Sequence, residues 1–426
     1  MKKLLSILIL LFLPLLMGTF SASAQVVDAS GQYVDTVFND NVDRAAEDFV
    51  KVSLMISQPS DCRVSAIFGH AALRLQCPTF GLDYVFSYVS IYSDASALDY
   101  LVIRPTMGLA AISTNSYVED EFRGVSEYDM YLPPNVEVEL WRILDEEAAK
   151  GFVRPYDCVA GSCAQMVYSY VNRAISHVYP MDSLQTSWQN EPKCTMHELM
   201  NLYAKNAPWQ LLLINSVLGS SYVDDVNQSN AKKVLFPIQL LELWHNTRLA
   251  GKPILASSAN IHKSAEVMKS PTITPIWLAI IVLLMSVCSL LTILIRKNTW
   301  MTTVSIGVDY MVLILQTISG IFMTLMMWVA YLPFPTAHWN WLIIPFNILP
   351  IIFWRWRKYW ALPYVGVLLL WCMAMLLSPH MLVEMTHILF VIAFALVLLK
   401  QSNAKQFVLL KLSAFIKKLQ CKNNKY

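Results

Sequence analysis

The chain has 426 residues, a formal net charge of +2 and 56% hydrophobic residues. That charge averages two unlike halves and says little by itself, but no basic stripe of the kind that binds nucleic-acid phosphates appears. The apolar content excludes a disordered chain, and neither repeats nor low-complexity tracts appear.

The chain begins with Lys2 and Lys3, an apolar run from Leu4 to Met17, and the small-x-small triplet Ala22-Ser23-Ala24. This is the pattern of a secretory signal peptide over residues 1–24, with the mature chain starting at Gln25. An uncleaved anchor helix would export the downstream residues equally well. Residues 25–270 have the mixed composition of a soluble exported domain, and at roughly 245 residues they can bury one large core or two small ones.

In "IFGHAALRLQ", residues 67–76, Gly69 breaks an apolar run and the alternation after it predicts a strand. His70 and Ala72 then share one face, and Leu73 and Leu75 take the other. A histidine at the start of a buried strand, beside a glycine that permits close approach, suits a general base. Strand-rich "YVFSYVSIY" comes next.

A second chemical signal is "PYDCVAGSCAQMVYSYVNRAI", residues 155–175. Gly161 and Ser162 supply a turn and an N-cap, after which Ala164, Met166, Val167, Tyr170, Val171, Ala174 and Ile175 recur at helical spacing. Cys163 therefore falls in the first turn of a buried helix. Free N–H groups and the helix dipole there favour a thiolate and can receive an oxyanion. The competing reading makes Cys163 an ordinary buried small residue. His177, His197 and His245, the remaining histidines weighed in this domain, read as helix-end or surface residues rather than bases.

Cysteine arithmetic separates the candidates. Residues 25–270 hold Cys62, Cys77, Cys158, Cys163 and Cys194, an odd number in an oxidising compartment. With Cys163 as the leftover thiol, the other four allow three pairings, and Cys62–Cys77 with Cys158–Cys194 is the expected one. No C-x-x-C or H-x-x-x-H spacing suggests a metal site, and no cofactor is expected.

After Pro271 the character changes to long apolar runs. Five membrane spans are expected at roughly 275–295, 309–331, 341–353, 360–377 and 382–399. The third is short and carries Pro345 and Pro350. Arg296 and Lys297, then Arg355, Arg357 and Lys358, then Lys400 and the lysines of the tail 401–426 all fall on one side of that five-span topology. The connections "PFPTAHWN" and "SPHM" carry no Lys or Arg. The basic side is the cytoplasmic one if the exported domain lies outside. His338, Asn340 and His380 lie in or beside the outward loops and are functional candidates by depth.

Taken together, "FGHAALRL", "EFRGVSEYDMYLPP", "YDCVAGSCA", "LGSSYVDD" with "LFPIQLLELW", and "HWNWLIIPFNILP" resemble the Lnb-type bacterial lipoprotein N-acyltransferases. The His-before-Cys order is also similar to the circularly permuted papain-like fold of the NlpC-type and lecithin:retinol acyltransferase-type proteins. The resemblance implies an α+β, permuted papain-like exported domain followed by an all-α transmembrane bundle of about five helices (271–400) and a basic cytoplasmic tail. It implies Cys163 as nucleophile and His70 as base. Asp83 is the expected orienting group and Tyr88 the second choice, though either can be a plain strand-edge residue. Ser162, Tyr88, Arg74, His338, Asn340 and His380 make up the expected substrate-contacting set. Where such families often have Asn before the Cys, this chain has Ser162.

The implied reaction moves an acyl chain from a membrane phospholipid, through a Cys163 thioester, to the α-amine of the N-terminal diacylglyceryl-cysteine of a lipoprotein. The implied setting is the bacterial inner membrane with the thiol domain in the periplasm, and the implied partners are phospholipid, diacylated lipoproteins and the bilayer. The competing classes are a membrane-anchored NlpC-type cell-wall peptidase or amidase, a phospholipase, and a non-enzymatic membrane receptor or assembly factor.

Overall fold

The structure is a computed structural model that describes residues 49–60, 66–90, 106–151, 154–155, 161–180, 183–187, 196–218, 234–264, 269, 271–292, 299–329, 347, 352–377 and 385–402. The expected signal peptide, Cys62, Cys158, Cys194, His338, Asn340, His380, most of the third span and the basic tail lie outside the described residues.

The chain is α+β. Its strands are β1 (Lys51–Ser57), β2 (His70–Cys77), β3 (Leu82–Ser90), β4 (Thr106–Ser113), β5 (Val125–Asp129), β6 (Arg154–Pro155), β7 (Leu184–Thr186), β8 (Thr247–Leu249), β9 (Lys252–Pro253) and β10 (Asn260–Lys263). Its helices are α1 (Thr114–Asp120), α2 (Pro134–Ala149), α3 (Cys163–Val178), α4 (Met196–Tyr203), α5 (Pro208–Leu218), α6 (Pro237–His245), α7 (Pro275–Leu291), α8 (Thr299–Val329), α9 (Arg357–Leu377) and α10 (Met385–Gln401). They divide into two compact units, with residues 205–224 grouped with the helices after 270 rather than with the sheet.

The first unit is built on a seven-stranded antiparallel sheet of order β10-β5-β1-β2-β3-β4-β6. Period-two alternation gives it two apolar faces. Leu54, Leu73, Leu75 and Phe86 point to the face packed by Leu140 and Trp141 of α2, Val167 and Val171 of α3, and Trp244 of α6. Met55, Ala72, Val85 and Ile112 take the other face, which Tyr117 of α1 covers. Leu73 and Leu75 thus stand opposite to Ala72, as the alternation predicts.

Two glycines shape the hairpins beside the site. Gly81, at φ +66°, closes the turn from β2 into β3. Gly69, at φ +77°, brings the chain so close to β1 that a Cβ there would sit 2.6 Å from the Ser57 carbonyl oxygen. Only glycine tolerates both that backbone and that approach.

Cys77 ends β2 as a free, fully buried thiol of the main core. Its expected partner, Cys62, lies outside the described residues. Burial pushes the Cys77 thiol up, and the Phe80 and Thr79 amides of the adjoining turn bond its sulfur and oppose that in part.

In the second unit α7, α8, α9 and α10 pack through Val282, Val312, Leu368, Trp371, Phe394 and Leu398. Helix α8 begins ten residues before the expected start of the second span and runs for 31 residues. Over Thr299–Phe322 it is the one helix among the described residues long and apolar enough to cross a membrane, with mean hydropathy 1.6. Ser305 and Asp309, polar residues in its N-terminal half, are buried. Of the motif around His338 only Asn347 is described. It donates to Gln316 Oε1 at 2.9 Å and accepts from the Tyr364 hydroxyl at 2.9 Å.

Candidate active site

Cys163 is the first residue of α3. Ser162 caps the helix by accepting from the Gln165 amide at 3.2 Å, and Gln165 Oε1 accepts from the Ser162 amide at 3.0 Å. This reciprocal capping box fixes the turn, as the Gly-Ser sequence implies. It also engages the Ser162 hydroxyl with the helix as an acceptor. The Cys163 sulfur is half-buried and receives backbone hydrogen bonds from Ala71, Ala164 and its own amide. The Ala71 bond sets the thiol one residue along the chain from His70.

His70 opens β2, with its side chain on the face opposite Leu73 and Leu75. Its Nε2 and the Ser87 Oγ of β3 are 2.8 Å apart. Ser87 is fully buried, so this bond fixes the ring orientation and leaves Nδ1 as the nitrogen available for proton exchange. Sequence alone does not single out Ser87, although a small polar residue inside an aromatic strand is a usable signal.

Asp83 does not orient His70. It lies four residues before Ser87 on the same face of β3, about 13 Å away along the strand. There it accepts from Arg74 at 2.9 and 2.7 Å, from Thr114 at 2.5 Å and from Gln76 at 3.4 Å. Arg74 is correspondingly consumed. Its Nη1 donates to both Glu127 oxygens at 2.9 Å, and Glu127 Oε2 lies 2.6 Å from His262 Nε2. Arg74 thus ties β2 to β3, β5 and β10 and does not contact the site. Tyr88 points into the main core, on the side away from His70. His177 pairs with Glu139 at 2.6 Å and His245 with the Ala256 carbonyl at 3.1 Å, so neither joins the thiol.

A second group beside His70 is not evident from sequence. Ser57 is the cross-strand partner of His70, and neighbours in such a pair have Cβ atoms about 5 Å apart. Its hydroxyl donates to Glu121 Oε2 at 3.0 Å and lies 3.2 Å from the Tyr117 hydroxyl. Glu121 holds Arg123 through Nε at 2.7 Å and Nη2 at 2.6 Å. The charges of Arg123 and Glu121 both act on His70, and that of Arg123 also acts on Cys163. The available signal is "EFR", two opposite charges flanking an aromatic residue between a helix and a strand.

These surroundings set the protonation states. Burial, and then the Arg123 charge, lower the pKa of His70 to about 4 against the opposing pull of Glu121. Burial pushes the Cys163 thiol up, and the three amides and Arg123 offset that only in part. Burial would raise Glu121, but the Arg123 bonds and charge outweigh it and hold the carboxyl below its ordinary range. At neutral pH the site therefore rests as neutral thiol and neutral imidazole. The thiolate expected from the helix N-terminus is not the resting state, because burial outweighs the amide and dipole contribution.

Comparison with protein-family models, curated proteins and solved structures finds no match to this chain.

Proposed function

We propose that this chain is a lipoprotein N-acyltransferase of the Lnb type, a permuted papain-like thiol domain joined to a multi-pass helical bundle in the bacterial inner membrane. The observation that carries the reading is a cysteine at a capped helix N-terminus whose sulfur is bonded by the amide of Ala71, the residue that follows a half-buried histidine hydrogen-bonded to Ser87. A second observation supports the lipid part. The helical unit exposes large apolar side chains, among them Trp277, Leu284, Trp300, Leu370 and Leu377, an outward surface suited to hydrocarbon rather than water.

The resting charges define the first step. As the Cys163 sulfur bonds to the acyl carbon of a phospholipid ester, His70 takes the thiol proton and the carbonyl electron pair moves onto oxygen. The N–H groups at the start of α3 can receive that oxyanion. Collapse of the intermediate expels the lysophospholipid alkoxide, which takes the proton back from His70 and leaves a thioester. The free α-amine of a diacylated lipoprotein then attacks the thioester, His70 accepts its proton, and the returning thiolate is reprotonated. Starting from a neutral pair, His70 acts as a true general base rather than as one half of a standing ion pair.

The test uses the full chain in micelles with phospholipid as the sole substrate. Intact mass should rise by one acyl group, and Cys163→Ser should abolish the rise. A diacylated lipopeptide should then discharge the adduct with formation of an N-acyl product. Discharge into free fatty acid alone would make the protein a phospholipase, and the absence of any adduct would sink the thioester route.

A further inference from the structure

Arg123 is tied through Glu121 to Ser57, the cross-strand partner of His70, its charge acts on both His70 and Cys163, and the acyl-transfer steps do not use it. Glu121 takes its Nε and one Nη2 hydrogen, and the Arg123 backbone amide also donates to Glu121 Oε1 at 3.3 Å. The carboxylate is itself fixed by Ser57, the cross-strand neighbour of His70, and the Lys263 Nζ donates to the Glu121 carbonyl at 2.5 Å. A guanidinium carries five N–H groups, and the Nη1 edge of Arg123 makes no hydrogen bond among the described residues. The Arg123 side chain is 11% exposed and that of Glu121 is 8% exposed. A pair that served only to cross-link strands would use both edges of its fork, as Arg74 does. Arg123 uses one.

We propose that Arg123 stabilises the negative charge that develops at the Cys163 centre, on sulfur as the proton leaves and then on the acyl oxygen, and that Glu121 positions it for that task. The charged and titratable groups around it are His70, Tyr117, Glu121, Cys163 and Lys263. Tyr117 stays protonated, since burial and then the Glu121 charge raise it. Arg123 is thus a fixed cation in a site where both reacting groups rest neutral, and it favours the anionic states passed through during reaction without trapping them at rest. Desolvation strengthens that contribution, because a buried charge acts through a low dielectric. The acyl-oxygen half of the proposal rests on the acyl-transfer reading; the sulfur half does not.

The experiment follows alkylation of Cys163 in the full chain in micelles by iodoacetamide between pH 7 and 10, located by mass spectrometry with Cys163→Ser as the blank. Below the thiol pKa the rate is proportional to the thiolate fraction, so each unit of upward shift slows it about tenfold. Arg123→Gln should slow alkylation about tenfold at each pH, and Arg123→Lys should recover part of the loss. The double variant Glu121→Gln/Arg123→Gln leaves no unpaired carboxylate, so it keeps the fold in place. It should be as slow as Arg123→Gln while melting near the wild type. Equal alkylation rates in the wild type and the folded double variant would overturn the proposal. Arg123-dependent alkylation without any acyl adduct from phospholipid would instead remove the acyl-transfer reading and leave the role of Arg123 toward sulfur standing.

Discussion

His70 shows how one side chain's surroundings decide the chemistry available to the site. An imidazole with its ordinary value of 6.5 would be half-protonated near neutrality, whereas in its desolvated position the value falls to about 4. The acid limb of kcat/KM for acyl-enzyme formation should therefore lie near pH 4, with full activity retained at pH 5.5. A limb at 6.5 would show that the ring is solvated during turnover. The same shift makes stability depend on pH. Because the folded value is below the unfolded one, the neutral ring contributes stability that is present above about 6.5 and is lost as pH falls toward about 4. Ser87→Ala should separate orientation from burial. It removes the 2.8 Å bond to Nε2, so acylation should slow roughly 10-fold or more, as expected for a general base with a loosened ring, while half-saturation changes little. His70 itself was legible in sequence because a glycine preceded it and the alternation fixed its face. Its partner was not, because choosing between Asp83 and Ser87 requires the β2–β3 register, in which Gln76 stands opposite Asp83 and Leu73 opposite Phe86.

At the scale of elements, legibility tracked the strength of local patterns. The α3 start was fixed by Gly-Ser and an unbroken apolar stripe, and the structure begins that helix at Cys163. Helix α8 extends ten residues before the expected span, and polar residues of its N-terminal half are held by other helices. Lys400 of α10 pairs with Asp309 of α8 at 2.6 Å and donates to Ser289 of α7 at 2.7 Å, and Ser289 donates to Asp309 at 2.5 Å. Lys400 read in sequence as the first residue of a basic cytoplasmic cluster; its amine instead joins three helices. A buried pair of this kind is expensive to break from one side only, at about 3–5 kcal/mol, but can be replaced as a whole by apolar residues. Lys400→Met should therefore lower the melting temperature in micelles clearly, and Lys400→Met with Asp309→Leu should recover most of it. A single variant as stable as the wild type would show that the pair is solvated and carries no packing role.

For the whole molecule, the division of the chain does not match its composition. The shift at Pro271 suggested a clean boundary with everything before it in the exported domain, yet α5 groups with the helical unit. Its sequence "PWQLLLINSVL" is apolar without a strong one-sided stripe, the mark of a helix partnered on more than one side. The partners come from after the boundary. The Trp209 indole donates to the Ile273 carbonyl at 2.9 Å, and Ser216 Oγ lies 2.7 Å from His387 Nε2. Neither bond could be inferred from sequence, since the groups joined in the second are 171 positions apart. A chain ended at residue 270 keeps every described strand of the sheet but deprives α5 of both contacts. That truncated form should bind micelles or self-associate through α5, and replacing Leu211, Leu212 and Leu213 with Gln should restore a monomer in detergent-free buffer. Size-exclusion chromatography with light scattering reads the outcome. A truncated form that is already monomeric without detergent would mean that α5 packs on the sheet unit when alone. Cutting at 270 would then yield a true domain, and α5 would carry no requirement for the helices after the boundary.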